Sequence, residues 1–126
     1  MMKVKPTNSE LEILLVIWQK GSCTVRDVNE QLVKDKSAEI GYTTTLKLMQ
    51  IMHEKGLLER ETSSRSHIYN ALISQSATSQ NLLDTLIDTV FNGSAAQLVM
   101  QALSKKNSSR EEIEMIKKYL DQLDKK

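Results

Sequence analysis

Apolar residues recur along the first part of the chain at the three- and four-residue steps of amphipathic helices. Leu11, Leu14, Leu15 and Trp18 follow Thr7-Asn8-Ser9-Glu10, where Thr7 and Glu10 have the spacing of a capping box, and Gly21 ends the pattern. Thr24, with Asp27 three residues on, opens a second helix whose apolar positions are Val25, Val28, Leu32 and Val33, ending near Asp35. After the polar stretch Lys36 to Gly41, a third helix runs from Tyr42 to Lys55 into Gly56, a natural residue just past a helix end. Its three threonines, Thr43 to Thr45, are poor helix formers in mid-helix but can cap a first turn.

From Leu57 the period shortens. Leu57 to Glu61 and His67 to Leu72 are strand candidates around the polar turn Thr62 to Ser66, so the pair predicts a hairpin. The remainder is helical again. Ser79 to Phe91 carries Leu82, Leu83, Leu86, Ile87 and Val90. Ala95 to Leu103 carries Leu98 and Val99. Ser109 and Glu112 form a capping box ahead of Ile113, Ile116, Leu120 and Leu123. The fold class expected is mainly α with a small β-hairpin wing: an N-terminal winged helix-turn-helix over residues 1–73 and a C-terminal helical dimerisation domain over 74–126. The second part is too small to supply a self-sufficient core, so its apolar stripes call for a partner, most economically a second copy. Leu83, Leu86, Val90, Leu98, Ile116 and Leu120 are the candidate dimerisation residues.

Composition narrows the functions open to such a chain. Its 126 residues leave no room for a large multi-domain enzyme, and 17 Lys and Arg against 16 Asp and Glu give a net charge of +1. No global basicity draws the chain to nucleic acid or anionic lipid, so anion binding must come from local placement. One cysteine, Cys23, suits a reducing cytosol, and Met1 to Pro6 lacks the apolar core of a signal peptide. His53, His67 and Cys23 are not at metal-ligand spacing, so neither a metal nor another cofactor is expected. No phosphate-binding glycine loop or nucleophile elbow occurs, and Glu111, Glu112 and Glu114 suit a helix N-terminus better than an acid–base pair. Catalysis has no candidate residues.

The third helix offers a different chemistry. Thr43, Lys47 and Gln50 fall on one face with Thr44 beside them, opposite Leu48, Met49 and Met52. Hydroxyls, an amide and a cation are the groups that satisfy phosphate oxygens and base edges. Arg65 in the hairpin turn, and Thr24 and Arg26 at the start of helix two with its free backbone N–H groups, add phosphate-binding elements. One copy would neutralise few phosphates, so two copies on two half-sites are required. The competing reading is a protein-interaction adaptor that never touches DNA, and the near-neutral charge is its best argument.

Thr7-Asn8-Ser9-Glu10-Leu11-Glu12-Ile13-Leu14 up to Trp18, Tyr42-Thr43-Thr44-Thr45-Leu46-Lys47-Leu48-Met49, Glu54-Lys55-Gly56-Leu57-Leu58 and Phe91-Asn92-Gly93-Ser94 occur in an order that closely resembles the penicillinase-repressor family. The resemblance covers nearly the whole chain. It implies a dimeric, cytoplasmic bacterial repressor whose winged helix binds palindromic operator DNA and whose C-terminal helices dimerise. It also implies a pathway in which a membrane sensor with a zinc-protease domain triggers cleavage of the repressor. Family contacts at the start of the recognition helix map to Thr43, Thr44 and Lys47. The β-lactam-responsive relatives carry arginine where this chain has Leu46 and Ile51, and their scissile Asn-Phe bond aligns with Gln101-Ala102. Leu46 thus keeps its place among the DNA-facing positions with altered chemistry, and cleavage at that bond is not carried over. The C-terminal cysteine pattern of the copper-responsive branch is absent.

Overall fold

In a computed structural model, which describes residues 5–104 and 108–125, the chain forms α1 (Asn8–Lys20), α2 (Val25–Lys36), α3 (Tyr42–Glu54), β1 (Leu58–Glu61), β2 (Ile68–Ala71), α4 (Gln75–Val90), α5 (Ala95–Ser104) and α6 (Arg110–Asp124). Residues 1–4, which begin the stretch expected to lack an apolar leader, lie outside the described residues. No described helix is long and apolar enough to cross a membrane. Contacts divide the chain into two units, 1–82 and 83–126, with the division inside α4.

The first unit has the order of a winged helix, as expected. The predicted capping box at Thr7 forms: its side chain accepts from Glu10 N at 3.2 Å while Thr7 N donates to Glu10 at 2.9 Å; Thr24, expected to cap α2, makes the same exchange with Asp27 at 3.1 and 3.0 Å. α3 ends in the αL turn that Gly56 permits at φ 82°, with Gly56 N donating to His53 O and Leu57 N to Met52 O. β1 and β2 pair antiparallel, with Leu58 opposite Ala71 and Arg60 opposite Tyr69. A one-residue bridge joins Cys23 to Tyr69 through two backbone hydrogen bonds of 3.1 and 2.8 Å, tying the hairpin to the segment that leads into α2.

The core comprises Ile13, Leu14, Val16, Ile17, Val25, Val28, Leu32, Met49, Met52, Leu57, Leu58 and Tyr69, with Cys23 among them. α1 therefore buries more than one stripe, because α2, α3 and β2 all pack on it. Leu15, expected in that stripe, is exposed. Trp18 Nε1 donates to Ile73 O at 3.0 Å, which fixes the chain leaving the hairpin against α1.

Two local expectations are corrected. The threonines do not cap α3: Gly41 is the N-cap, no side chain caps there, and Thr45 is buried. α4 starts at Gln75 rather than Ser79, because Ser74 caps it through a 3.0 Å bond from Ala77 N while Thr78 Oγ1 donates to Ser74 O.

The second unit contains the end of α4 with α5 and α6. The Ser109–Glu112 capping box forms as predicted. None of the residues of α5 and α6 is buried, and Leu83, Leu86, Val90 and Leu120 are exposed while Leu98 and Ile116 are half-buried. Met115 and Tyr119, absent from the sequence reading, join Ile116 in an open apolar patch on α6.

Within the first unit, Glu10 is almost wholly buried and accepts a 2.8 Å bond from Lys55 Nζ, linking the start of α1 to the end of α3. Burial raises the Glu10 pKa, but the hydrogen bonds from Lys55 and Thr7 together with the Lys55 charge outweigh it and hold the carboxyl below its ordinary value. A carboxylate with a depressed folded-state pKa contributes stability above its unfolded value and loses it as pH falls through the folded one. Thermal unfolding midpoints should therefore drop on acidification below about pH 4.5. Glu10→Gln keeps the cap but not the charge; it should lower stability at neutral pH by about 1 to 2 kcal/mol and flatten the acid dependence, both read from pH-series melts.

Candidate nucleic-acid interface

The orientation of α3 is set by a side chain that periodicity does not mark. Asn29, on α2, directs Nδ2 at Ile40 O (3.0 Å), Thr45 Oγ1 (2.9 Å) and, more weakly, Gly41 O (3.4 Å). One amide thus holds both the turn between the helices and the first turn of α3. Ser37, at φ 50°, closes α2 in the left-handed conformation that starts this link.

With α3 so placed, Met49 and Met52 face the core, while Thr43, Thr44, Lys47 and Gln50 are exposed. Two neighbouring concavities receive most of the other expected residues. The first, about 280 Å³, is lined by Thr24, Val25 and Arg26 from α2, Tyr42 and Leu46 from α3, and Arg65, Ser66, His67 and Tyr69 from the hairpin. The second, about 380 Å³, is lined by Lys47, Gln50, Ile51, His53 and Glu54 from α3 with Arg60 from β1. Of the eight candidate interface residues, Thr24, Arg26, Leu46 and Arg65 meet in the first, Lys47 and Gln50 in the second, and Thr43 and Thr44 line neither.

Electrostatics favour an anionic ligand on this face. Arg26, Lys47 and Arg65 are exposed, and none enters an ion pair among the described residues. Glu54 is the opposing charge at the second concavity. At the start of α2 the Thr24–Asp27 box already occupies the N–H groups of Thr24 and Asp27, so fewer backbone donors remain there than the sequence reading assumed.

Sequence reasoning missed Tyr42, Arg60 and His67 on this face. Tyr42 stands one helical turn before Leu46, a signal available in the sequence, whereas Arg60 is brought in by the strand register and His67 by the hairpin turn before β2. The Cys23 thiol is pushed up in pKa by burial, with Asp27 adding and Lys20 opposing, and His53 Nδ1 sits 3.2 Å from Leu58 O. No group of three or more His, Cys, Asp or Glu that could hold a metal occurs among the described residues.

The model of the penicillinase repressor family matches residues 6–122. The methicillin resistance regulatory protein MecI of Staphylococcus aureus is 25% identical over 117 residues, spanning 91% of this chain and 92% of that protein. The penicillinase repressor of Staphylococcus aureus is 21% identical over 124 residues, spanning 98% and 97%. That of Bacillus licheniformis is 25% identical over 116 residues, spanning 92% and 89%.

Replacing Asn29 by Ala leaves Thr45 Oγ1 and Ile40 O without their donor, whereas Gly41 O keeps the Thr44 and Thr45 N–H groups. The variant should lose about 1 to 3 kcal/mol in chemical denaturation. It should also bind duplex DNA less well than this loss explains at temperatures where it remains folded, because α3 is no longer held at its angle. Unchanged affinity in a gel-shift titration would show that the corner is set by packing alone.

Proposed function

The chain belongs to the penicillinase repressor family and is a DNA-binding transcriptional repressor, and from that premise we propose that it acts in the cytoplasm as a homodimer on a palindromic operator, one winged helix in each half-site. The observation that carries this reading is the gathering of three exposed cations, Arg26, Lys47 and Arg65, with no ion pair among the described residues, around the exposed polar ridge of α3. In a chain of net charge +1 that local placement, not the total, supplies attraction to phosphate. α3 enters the major groove with Thr43, Thr44, Lys47 and Gln50 at base edges and phosphates. Arg26 and Thr24 hold the backbone on one side of it, and Arg65 in the hairpin turn holds it on the other. The adaptor reading yields to the family assignment, and the reading includes no catalytic step.

Dimerisation is assigned to the C-terminal helical part, residues 74–126 by the sequence boundary, within which the second unit begins at residue 83. Its helices leave large apolar side chains uncovered in a single chain, and Leu83, Leu86, Val90, Leu98, Ile116 and Leu120 are the residues assigned to the contact. Release from the operator through a membrane sensor and a metalloprotease would need a scissile bond. Gln101 and Ala102 are exposed but lie inside α5, so a protease would have to meet that segment locally unwound.

Six cations across a dimer predict that the logarithm of the association constant falls with the logarithm of salt concentration at a slope of about −5, read from fluorescence-anisotropy titrations. Lys47→Ala should reduce that slope by about 1 to 2 and weaken operator binding by roughly 1 to 3 kcal/mol. An absence of duplex binding at low salt would remove the DNA-reading role. Leu86→Asp or Leu120→Asp should raise the dimer dissociation constant a hundredfold or more, about 3 kcal/mol, by burying an unpaired charge. Sedimentation velocity reads that change, and a variant that sediments as the wild-type dimer would displace the residue from the interface.

A further inference from the structure

The first concavity differs in chemistry from an ordinary phosphate cradle. Within its mostly polar lining the concavity offers carbon from Leu46, half-buried, and from the ring of Tyr42, which is half exposed. Arg26 from α2 and Arg65 from the hairpin supply its cationic charge. Such a site suits a ligand that carries anionic groups beside a small apolar one. In the major groove of DNA, thymine meets that description, because its C5 methyl is the apolar group on the groove edge of an unmodified base and phosphates flank it on the strand. Adenine, guanine and cytosine carry no methyl there, so among unmodified bases thymine alone gives Tyr42 and Leu46 an apolar partner on the groove edge.

Resting on the reading of α3 as the helix in the groove, we infer that this concavity reads thymine methyl groups. Tyr42 and Leu46 make the apolar contact, and Arg26 and Arg65 hold the neighbouring phosphates. Lys47 and Gln50, which line the other concavity, remain free to meet polar base edges, so each half-site combines a methyl contact with hydrogen-bonded ones.

The test uses the full chain to enrich its best duplex from a randomised pool. Affinity is then measured for that duplex and for the same duplex with deoxyuridine in place of every thymidine, a change that removes only methyl groups. Losing one buried methyl weakens binding by about fourfold, and one in each half-site by about fifteenfold. Tyr42→Ala alters an exposed side chain; its folding is checked by circular dichroism. It should bind the thymidine duplex more weakly than wild type and distinguish the two duplexes less. Wild-type protein that binds both duplexes within about twofold overturns the inference while leaving DNA recognition intact. Tyr42→Ala that keeps the full thymidine preference overturns it too. Failure to enrich any duplex at low salt instead overturns the placement of DNA on this face.

Discussion

Whatever α3 does depends on the angle at which it leaves α2, and one carboxamide holds that corner. Asn29 Nδ2 has two hydrogens and three acceptors within 3.4 Å, two in the turn and one on Thr45. Thr45 is buried and cannot turn to water for a donor, so loss of the amide would strand its hydroxyl. The same constraint explains why the first turn of α3 presents Thr43 and Thr44 outward. Gly41 closes the turn without a side chain, and the two hydroxyls are not committed to capping. At the other end Glu10 and Lys55 fasten the exit of α3 to α1, so the helix is held at both termini while Lys47 and Gln50 face outward between them and Met49 faces the core.

Much of this was legible in the residue pattern, for physical reasons that can be named. Capping boxes at Thr7, Thr24 and Ser109 are local devices, complete within four residues, and all three form. Gly56 could be recognised because only a residue without Cβ enters αL cheaply at a helix end. What escaped depended on distant partners. Asn29 occupies a position that resembles any polar site on an amphipathic helix, and its role exists only once the α2–α3 link folds back over it. Ser74 was overlooked because Ser76, Thr78 and Ser79 dilute the apolar stripe of α4 in its first turn. Thr45 was grouped with its neighbours, although the helical phase carries it to the side of Met49 and Met52. Arg60 reaches the candidate interface by strand pairing, and His67 by the hairpin turn that leads into β2, relations that spacing along the chain does not encode.

The chain also shows how a nearly neutral protein can present a cationic surface. Its charges are not sorted between the ends: Glu10 and Glu12 pair with Lys55 and Lys36, removing those lysines from the pool available to an outside ligand. Arg26, Lys47 and Arg65 have no such partner among the described residues. The balance of the sequence is therefore a poor guide to the field over one face, because pairing inside the fold decides which charges remain to act at a distance. On the reading proposed, a modest number per copy makes two reading heads an energetic requirement rather than an ornament of symmetry.

The short bridge between Cys23 and Tyr69 has a mechanical meaning. Its two backbone bonds fasten the hairpin to the residue that precedes the cap of α2, so the elements carrying Arg26 and Arg65 grow from a shared base. On the reading proposed, a duplex held by both cations has to match the spacing that this base sets between them, and a stretch of DNA that does not match it meets the cost of deforming its backbone.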